Sequence, residues 1–547
     1  MRRLFRNRLL GLVLAVLFAT GCAAYRGADF VMPALRFDRP TNRALPSRDN
    51  PRVSAALSQW HSLDAEGRAR YPTPYHVYVD VPAPGTFEGG HVIGLAFSGG
   101  GTRGMVFAAM CIEELQELGP IIVEMDAGFR IISLLDEVDY VCGVSTGAIP
   151  AAAFALNYSD SCPASLRFEN WPECFNTNLV ARSIKHLAKR PDRLVRDFIV
   201  EINTRPALCG AIAASFFEGT SHRTASGLTF ASLPEVPVVF LGAAVVADPG
   251  AALVQTRMPY RYAIDVQSEI PWGVGVQSFE SFRMDPLAYS LSEACYNSLS
   301  HPGSMRSGRL AVRSDPEWIC EGLPPGVRSR MERARNQYGY TGVFDVKDGG
   351  LIDNRGIYAI DRLFAAVAET KGWGTRPLLI ALDAGYRDLR LPEPGTGLLS
   401  KGWFRETYAA SRAAWQAGQD AHDRLFQAHA ANIYTLVHFR FSSWVRFMAG
   451  SEGTGSAENR CLVQLCTDEP RVRTPDALLE ILRGIGTTLT CLDDDQLAAT
   501  RIAAKFAVWG CKDDLLKWAS AVNGGAPARF GPSSENETRR AITRDMR

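Results

Sequence analysis

Apolar residues run unbroken from Val92 to Phe97 and stop at a glycine-rich turn, Ser98-Gly99-Gly100-Gly101-Thr102-Arg103-Gly104. A short, wholly apolar run suits a parallel strand buried on both faces. Beyond the turn, Ala108, Cys111, Ile112 and Leu115 recur at helical spacing until Gly119-Pro120 closes the segment. The pattern therefore predicts strand, glycine turn, helix. It returns at Val138-Asp139-Tyr140-Val141-Cys142, which leads through Gly143-Val144-Ser145-Thr146-Gly147 into the Ala-rich stretch from Ala148 to Leu156. Pro150 is tolerable there because the first helical turn needs no N–H from it. Further strand patterns lie at Val236 to Val246, Thr341 to Val346 and Leu378 to Leu382. Strands alternating with helices predict an α/β fold of three layers, α/β/α, around a mostly parallel sheet.

Around this core the pattern weakens. Residues 22–90 are rich in Pro, Arg and Asn and read as an extended arm, with helix limited to Val53 to Leu63. The stretch from 160 to 235 can carry helices over the site. Its most apolar part, Ala207 to Phe217, suits either a core helix or a lipid-facing lid. The α/β domain spans 91–390 and a mainly helical C-terminal extension spans 391–523. That extension includes a helix from Thr407 to Ala430 and one starting after Thr474-Pro475-Asp476. Alternation from Ile433 to Phe441 suggests a strand between them, and Trp444, Phe447 and Met448 read as core packing rather than membrane contact. Residues 524–547 read as a disordered tail.

The N-terminus changes the picture of where the chain works. Basic residues Arg2, Arg3, Arg6 and Arg8 precede an apolar run from Leu9 to Ala19, too short to span a bilayer comfortably, so residues 1–21 read as a signal peptide. Ala19-Thr20-Gly21-Cys22 resembles a bacterial lipobox, which implies lipid attachment at Cys22 and a place in the bacterial cell envelope as an outer-membrane lipoprotein. Among the twelve cysteines, Cys162/Cys174 and Cys461/Cys466 are close enough in sequence to form bridges, and without Cys22 an odd number remains. Lys+Arg 59 against Asp+Glu 58 leaves a net charge of +1, and no nucleic-acid motif is present, so no nucleic-acid partner is expected. No cysteine or histidine group has zinc-site spacing, so neither a metal nor a cofactor is implied.

The two glycine turns carry the chemistry. A serine between glycines on a strand-to-helix turn presents its hydroxyl at a helix N-terminus, where amides and the helix dipole favour negative charge. The turn at Gly99 to Gly101 can offer backbone N–H groups to an oxyanion, with Thr146 N–H as a further donor. A nucleotide-phosphate loop is the competing reading of this turn, but no Walker lysine comes after it. A serine hydroxyl needs a base. Asp348-Gly349-Gly350 supplies a carboxylate at a strand end, where glycines permit close approach to other backbone.

In this order, GGGxRG, GxSxG and DGG are similar to the patatin-like phospholipase family. The similarity extends through Leu351-Ile352-Asp353-Asn354-Arg355-Gly356 and through Ala294 to Gly303. The resemblance implies a Ser–Asp dyad without histidine, with Ser145 as nucleophile, Asp348 as general base and the Gly99 to Gly101 backbone as oxyanion hole. It implies lipid acyl hydrolysis through an acyl-serine intermediate on a membrane phospholipid or other acyl-ester lipid. Gly104, Gly143, Gly147, Gly349 and Gly350 would support the turns, and Arg103 would brace the glycine loop, favour an anionic head group or form a salt bridge. Two other readings stand beside it. One is a Ser–His–Asp hydrolase using His301, His422, His429 or His438, and the other is a lipid-binding or scaffolding envelope protein without catalysis.

Overall fold

The computed structural model describes residues 42–531 except 85–90, 127, 159–167, 169, 189–204, 218–227, 247–251, 261–275, 302–304, 306, 312–316, 324, 327, 330–342, 371, 386–423 and 446–455. The signal segment, Cys22, Cys162, His422, Phe447, Met448 and most of the helix expected from Thr407 lie outside the described residues.

Strands β1 (Ile93–Phe97), β4 (Val138–Val144), β5 (Val238–Val245), β10 (Leu378–Asp383) and β11 (Thr435–Arg440) form the parallel heart of a nine-stranded sheet in the order β11-β10-β1-β4-β5. Beyond β5 the sheet continues with β6 (Ala252–Gln255) and β7 (Val276–Ser278). Strands β8 (Gly308–Ala311) and β9 (Val343–Asp348) pair antiparallel with each other, and β9 also pairs antiparallel with β5. A smaller sheet holds β2 (Ile121–Met125), β3 (Gly128–Ile132) and β12 (Ala528–Phe530).

The pleat sorts each parallel strand between two cores. Leu95, Phe97, Val141, Leu241, Ile380 and Leu382 face one cluster, while Ala96, Tyr140, Cys142, Phe240, Leu379 and Ala381 face the other. Both faces are therefore dry, which is why these strands read as continuous apolar runs rather than alternating ones. The first cluster takes in Met105 to Leu115 of the helix at Thr102–Leu118, Ala148 to Ala155 of the helix at Ala148–Asn157, and Leu291 to Leu299. The second takes in Ile360 to Val367 of the helix at Tyr358–Thr370 together with N-terminal residues. Three layers result, as the strand and helix patterns predict.

Four expectations change. The segment before residue 84 is not an extended arm from residue 42 onward. It forms helices α1 (Pro51–Ser62), α2 (Ala65–Arg70) and α3 (Pro74–Val79), which bury Val53, Tyr75, Tyr78 and Val79 against the second core. Its caps explain them: Asn50, Asp64 and Thr73 each accept a backbone N–H of the first turn. The sheet also passes residue 390, because β11 lies parallel to β10 with Val437 and Phe439 fully buried. The tail expected from Gly524 instead reaches β12, which pairs antiparallel with β2. Finally, Cys461 and Cys466 are free thiols, as is Cys174. Five positions apart on the helix at Ala457–Asp468, Cys461 and Cys466 point to different sides of it, one exposed and one buried.

The apolar segment at Ala207 to Phe217 belongs to the core. Ala207, Leu208, Ala211, Ile212, Ala213, Phe216 and Phe217 are buried, and Phe216 stacks on Phe175. Trp444 is likewise buried.

Candidate active site

At the carboxyl end of β4 the chain turns sharply into a single 3-10 turn, Ser145–Gly147, and runs directly into α5 (Ala148–Asn157), counting the helix at Thr102–Leu118 as α4. Ser145 sits at φ +53°, a left-handed conformation that is strained for a residue with a side chain. The flanking glycines make that turn possible. A Cβ on Gly143 would strike the Gly147 carbonyl, and one on Gly147 would strike the Phe97 and Ser98 carbonyls. The glycine loop after β1 thus packs directly under the serine turn.

Asp348 reaches this turn through sheet register. β4 pairs with β5 as far as Val144 opposite Gly242, and β9 takes up the next position with Asp348 opposite Ala243. The other edge of β5 is occupied there by β6, so β9 enters end to end with β4, in the lane that β4 vacates when it turns at Ser145. Two residues 203 positions apart therefore meet, and Ser145 Oγ donates to Asp348 Oδ2 at 3.0 Å. Asp348 Oδ1 accepts the Gly350 N–H at 2.8 Å, which fixes the carboxylate plane. Gly349 has no room for a side chain because the Gly242 carbonyl fills the space. Burial pushes the Asp348 carboxyl up to about 6, against the opposing pull of the Gly350 amide and the Ser145 hydroxyl.

The glycine loop lies against the serine: a Cβ on Gly99 would come within 2.8 Å of Ser145 Cβ. Gly100 and Gly101 have φ of +132° and +69°. Of the three amides expected as oxyanion donors, the Gly99 N–H is already committed to the Asn354 carbonyl at 2.9 Å. The Gly100 and Gly101 N–H groups have no acceptor among the described residues. The Thr146 N–H lies in the first turn of a helix, where no intrahelical acceptor precedes it. The amides left without an acceptor among the described residues are those of Gly100, Gly101 and Thr146. Thr146 Oγ1 also donates to the Gly101 carbonyl at 3.0 Å, joining the two turns.

The family model described as patatin-like phospholipase matches residues 95–360, which contain the serine turn, the glycine loop and Asp348. These residues are a patatin-like phospholipase domain. That membership supports a lipid ester hydrolase. No curated protein matches the chain. Among solved structures, human GIVD cytosolic phospholipase A2 is similar at 11% identity and a TM-score of 0.35, over 86% of this chain and 67% of that one. A chain of the complex of full-length SpcU with full-length ExoU, from the type III secretion system of Pseudomonas aeruginosa, is similar at 14% identity and a TM-score of 0.17, over 80% of each.

Within the patatin-like domain and the segments packed on it, the described histidines that could relay a proton are engaged elsewhere or lack contact with Ser145 Oγ. His429 Nδ1 is paired with Asp361 at 2.8 Å. His438 Nε2 is paired with Asp383 at 3.0 Å and its Nδ1 accepts from Arg440 Nε at 3.1 Å. Burial lowers the His438 pKa, consistent with a neutral ring that donates at one nitrogen and accepts at the other. His301 is exposed, and a proton on it would favour the Asp348 carboxylate.

Arg103 is 3% exposed, donates to the Ile485 carbonyl at 3.2 Å and lies 5.6 Å from the centre of the Phe441 ring. These contacts fit the bracing role among its three expected roles. Gly104 is pressed against the Gly99 carbonyl, where a Cβ would stand 2.7 Å away. Asn354, within the stretch similar to the family, pins Gly99 through its carbonyl at 2.9 Å, and one contributor escapes the motifs: Thr488, far along the chain, accepts the Thr102 N–H at 2.7 Å. Nothing in the local sequence around Thr488 signals this role.

Proposed function

We propose that this protein is a serine lipid acyl hydrolase in which Ser145 and Asp348 act as a dyad. The 3.0 Å bond from Ser145 Oγ to Asp348 Oδ2 carries the reading. As Ser145 Oγ attacks the ester carbonyl, its proton passes to Asp348 Oδ2, and the carbonyl oxygen becomes an oxyanion facing the Gly100, Gly101 and Thr146 amides. Collapse breaks the bond to the alcohol, which leaves with the proton from Asp348, and an acyl-serine remains. Water, deprotonated by Asp348, attacks that ester, and the serine recovers its proton as the fatty acid departs. Each step uses one base in alternating protonation states, so no imidazole is required.

Fatty acid release from phospholipid vesicles and from a nitrophenyl ester tests the reading. Ser145→Ala and Asp348→Asn should each lower kcat by roughly 10⁴-fold or more while the fold is retained. Undiminished turnover in both variants would reject the dyad. A wild-type chain that binds vesicles without turnover, and whose Ser145 resists a fluorophosphonate, would point to a lipid-binding or scaffolding role instead.

The proposal includes a lipid anchor at Cys22 that holds the enzyme at the bacterial envelope, within reach of a phospholipid substrate. Its support is the basic and apolar N-terminal pattern ending in Ala19-Thr20-Gly21-Cys22. Labelled palmitate should enter the wild-type chain and not Cys22→Ser; equal labelling would refute the anchor.

A further inference from the structure

The glycine loop is held from outside the family-matched residues. α4 begins at Thr102, so the Thr102 N–H has no intrahelical acceptor, and it is buried. The Thr488 carbonyl supplies one at 2.7 Å. Gly101 must be glycine for this to happen: the backbone of Thr488 fills the space its Cβ would need, and its φ is +69°. Two residues further on, Arg103 donates to the Ile485 carbonyl at 3.2 Å. Both carbonyls belong to the connection between the helices Pro475–Gly484 and Asp494–Gly510. Ile485 is buried, whereas Thr488 keeps an exposed side chain and makes its contact through backbone alone.

The same connection is tied down on its far side. Leu179 N–H donates to the Leu489 carbonyl at 2.9 Å. The Asn176 amide holds Leu492 by both backbone groups, accepting its N–H at 2.6 Å and donating to its carbonyl at 3.0 Å. One short segment thus links three things: the pair of helices at Trp171–Phe175 and Leu179–Ala188, the start of α4, and the loop that carries the Gly100 and Gly101 amides.

We propose that residues 485–492 position the glycine loop of the active site, with the carbonyls of Ile485 and Thr488 holding the Gly100 and Gly101 amides beside Ser145. The proposal rests on the hydrolase reading above and extends it: the patatin-like domain does not complete its own oxyanion site, and the C-terminal region finishes it. Asn176 and Arg103 are then positioning residues, acting through the loop rather than on substrate.

Full-length Asn176→Ala and Arg103→Met separate this from a merely structural role. Asn176→Ala removes both bonds to Leu492 and touches neither Ser145 nor the glycine loop. Hydrogen exchange of the peptide covering 98–105 should accelerate by at least about fivefold in both variants. On a nitrophenyl ester, kcat should fall by about tenfold or more while KM stays within about twofold, because oxyanion donors act on the transition state. Lys517→Ala, exposed on the helix at Lys512–Val522 and outside this connection, should change neither readout. Unchanged exchange at 98–105 in both variants overturns the proposal, and so does faster exchange with unchanged kcat. If the wild-type chain hydrolyses no ester, the hydrolase reading fails, and the exchange data alone then decide whether this segment holds the loop.

Discussion

In the proposed mechanism, Ser145 and Asp348 set the pH response. Burial lifts the Asp348 carboxyl to about 6, and only its ionised form can accept the serine proton. Accordingly, kcat/KM should hold steady at neutral pH and fall about tenfold per unit as pH drops below about 6. A pH profile on a neutral nitrophenyl ester checks this. A limb near the free-carboxylate value would mean that the buried aspartate is not the base. Ser145 was legible in sequence because its turn is local: strand, glycines and helix lie within a few residues and impose the strained elbow by themselves. Asp348 was legible only as part of an ordered set of motifs, since Asp-Gly alone signals a turn. That the Gly99 N–H is already bonded was not legible. Its amide is claimed by a carbonyl at Asn354, and a hydrogen bond between backbone groups leaves no mark on side-chain identity.

Elements show a similar division. Runs of apolar residues located β1, β4, β5 and β10 closely, because a strand buried on both faces must be apolar at every position. In the N-terminal region the helix expected at Val53 to Leu63 is α1, whereas residues 65–79 misled because proline and arginine look like loop composition, yet Asp64 caps α2 and Pro74 stands in the first turn of α3, where proline is favoured. α4 illustrates how one element couples fold and site. Its N-terminus succeeds the glycine loop, while Phe107 packs edge to face on Phe441 just past β11, at a centroid distance of 5.2 Å. Phe107 is fully buried, so Phe107→Ala should cost about 3–5 kcal/mol. A lowered denaturation midpoint in guanidinium would register that loss, whereas a midpoint within error of wild type would show that the interface between α4 and the C-terminal region contributes little.

Across the whole molecule, the C-terminal region is part of the core rather than an appendage. β11 covers the edge of β10, and Phe506, Ala503 and Leu482 join the cluster beneath α4. A chain ending at residue 390 would expose that strand edge and that apolar face, both of which promote aggregation. Such a chain should be recovered mainly as insoluble protein, and a soluble, monomeric product with full esterase activity would contradict this architecture. Local pattern was enough to predict an α/β/α fold, a serine on a strand-to-helix turn and the order of the motifs, since each depends on residues within one strand, turn or helix. It could not reveal that β9 occupies the lane left by β4, that β11 extends the sheet, or that Thr488 braces the glycine loop. Those contacts join distant segments through backbone hydrogen bonds and sheet register, which depend on where chains meet in space and are written in no single stretch of side chains.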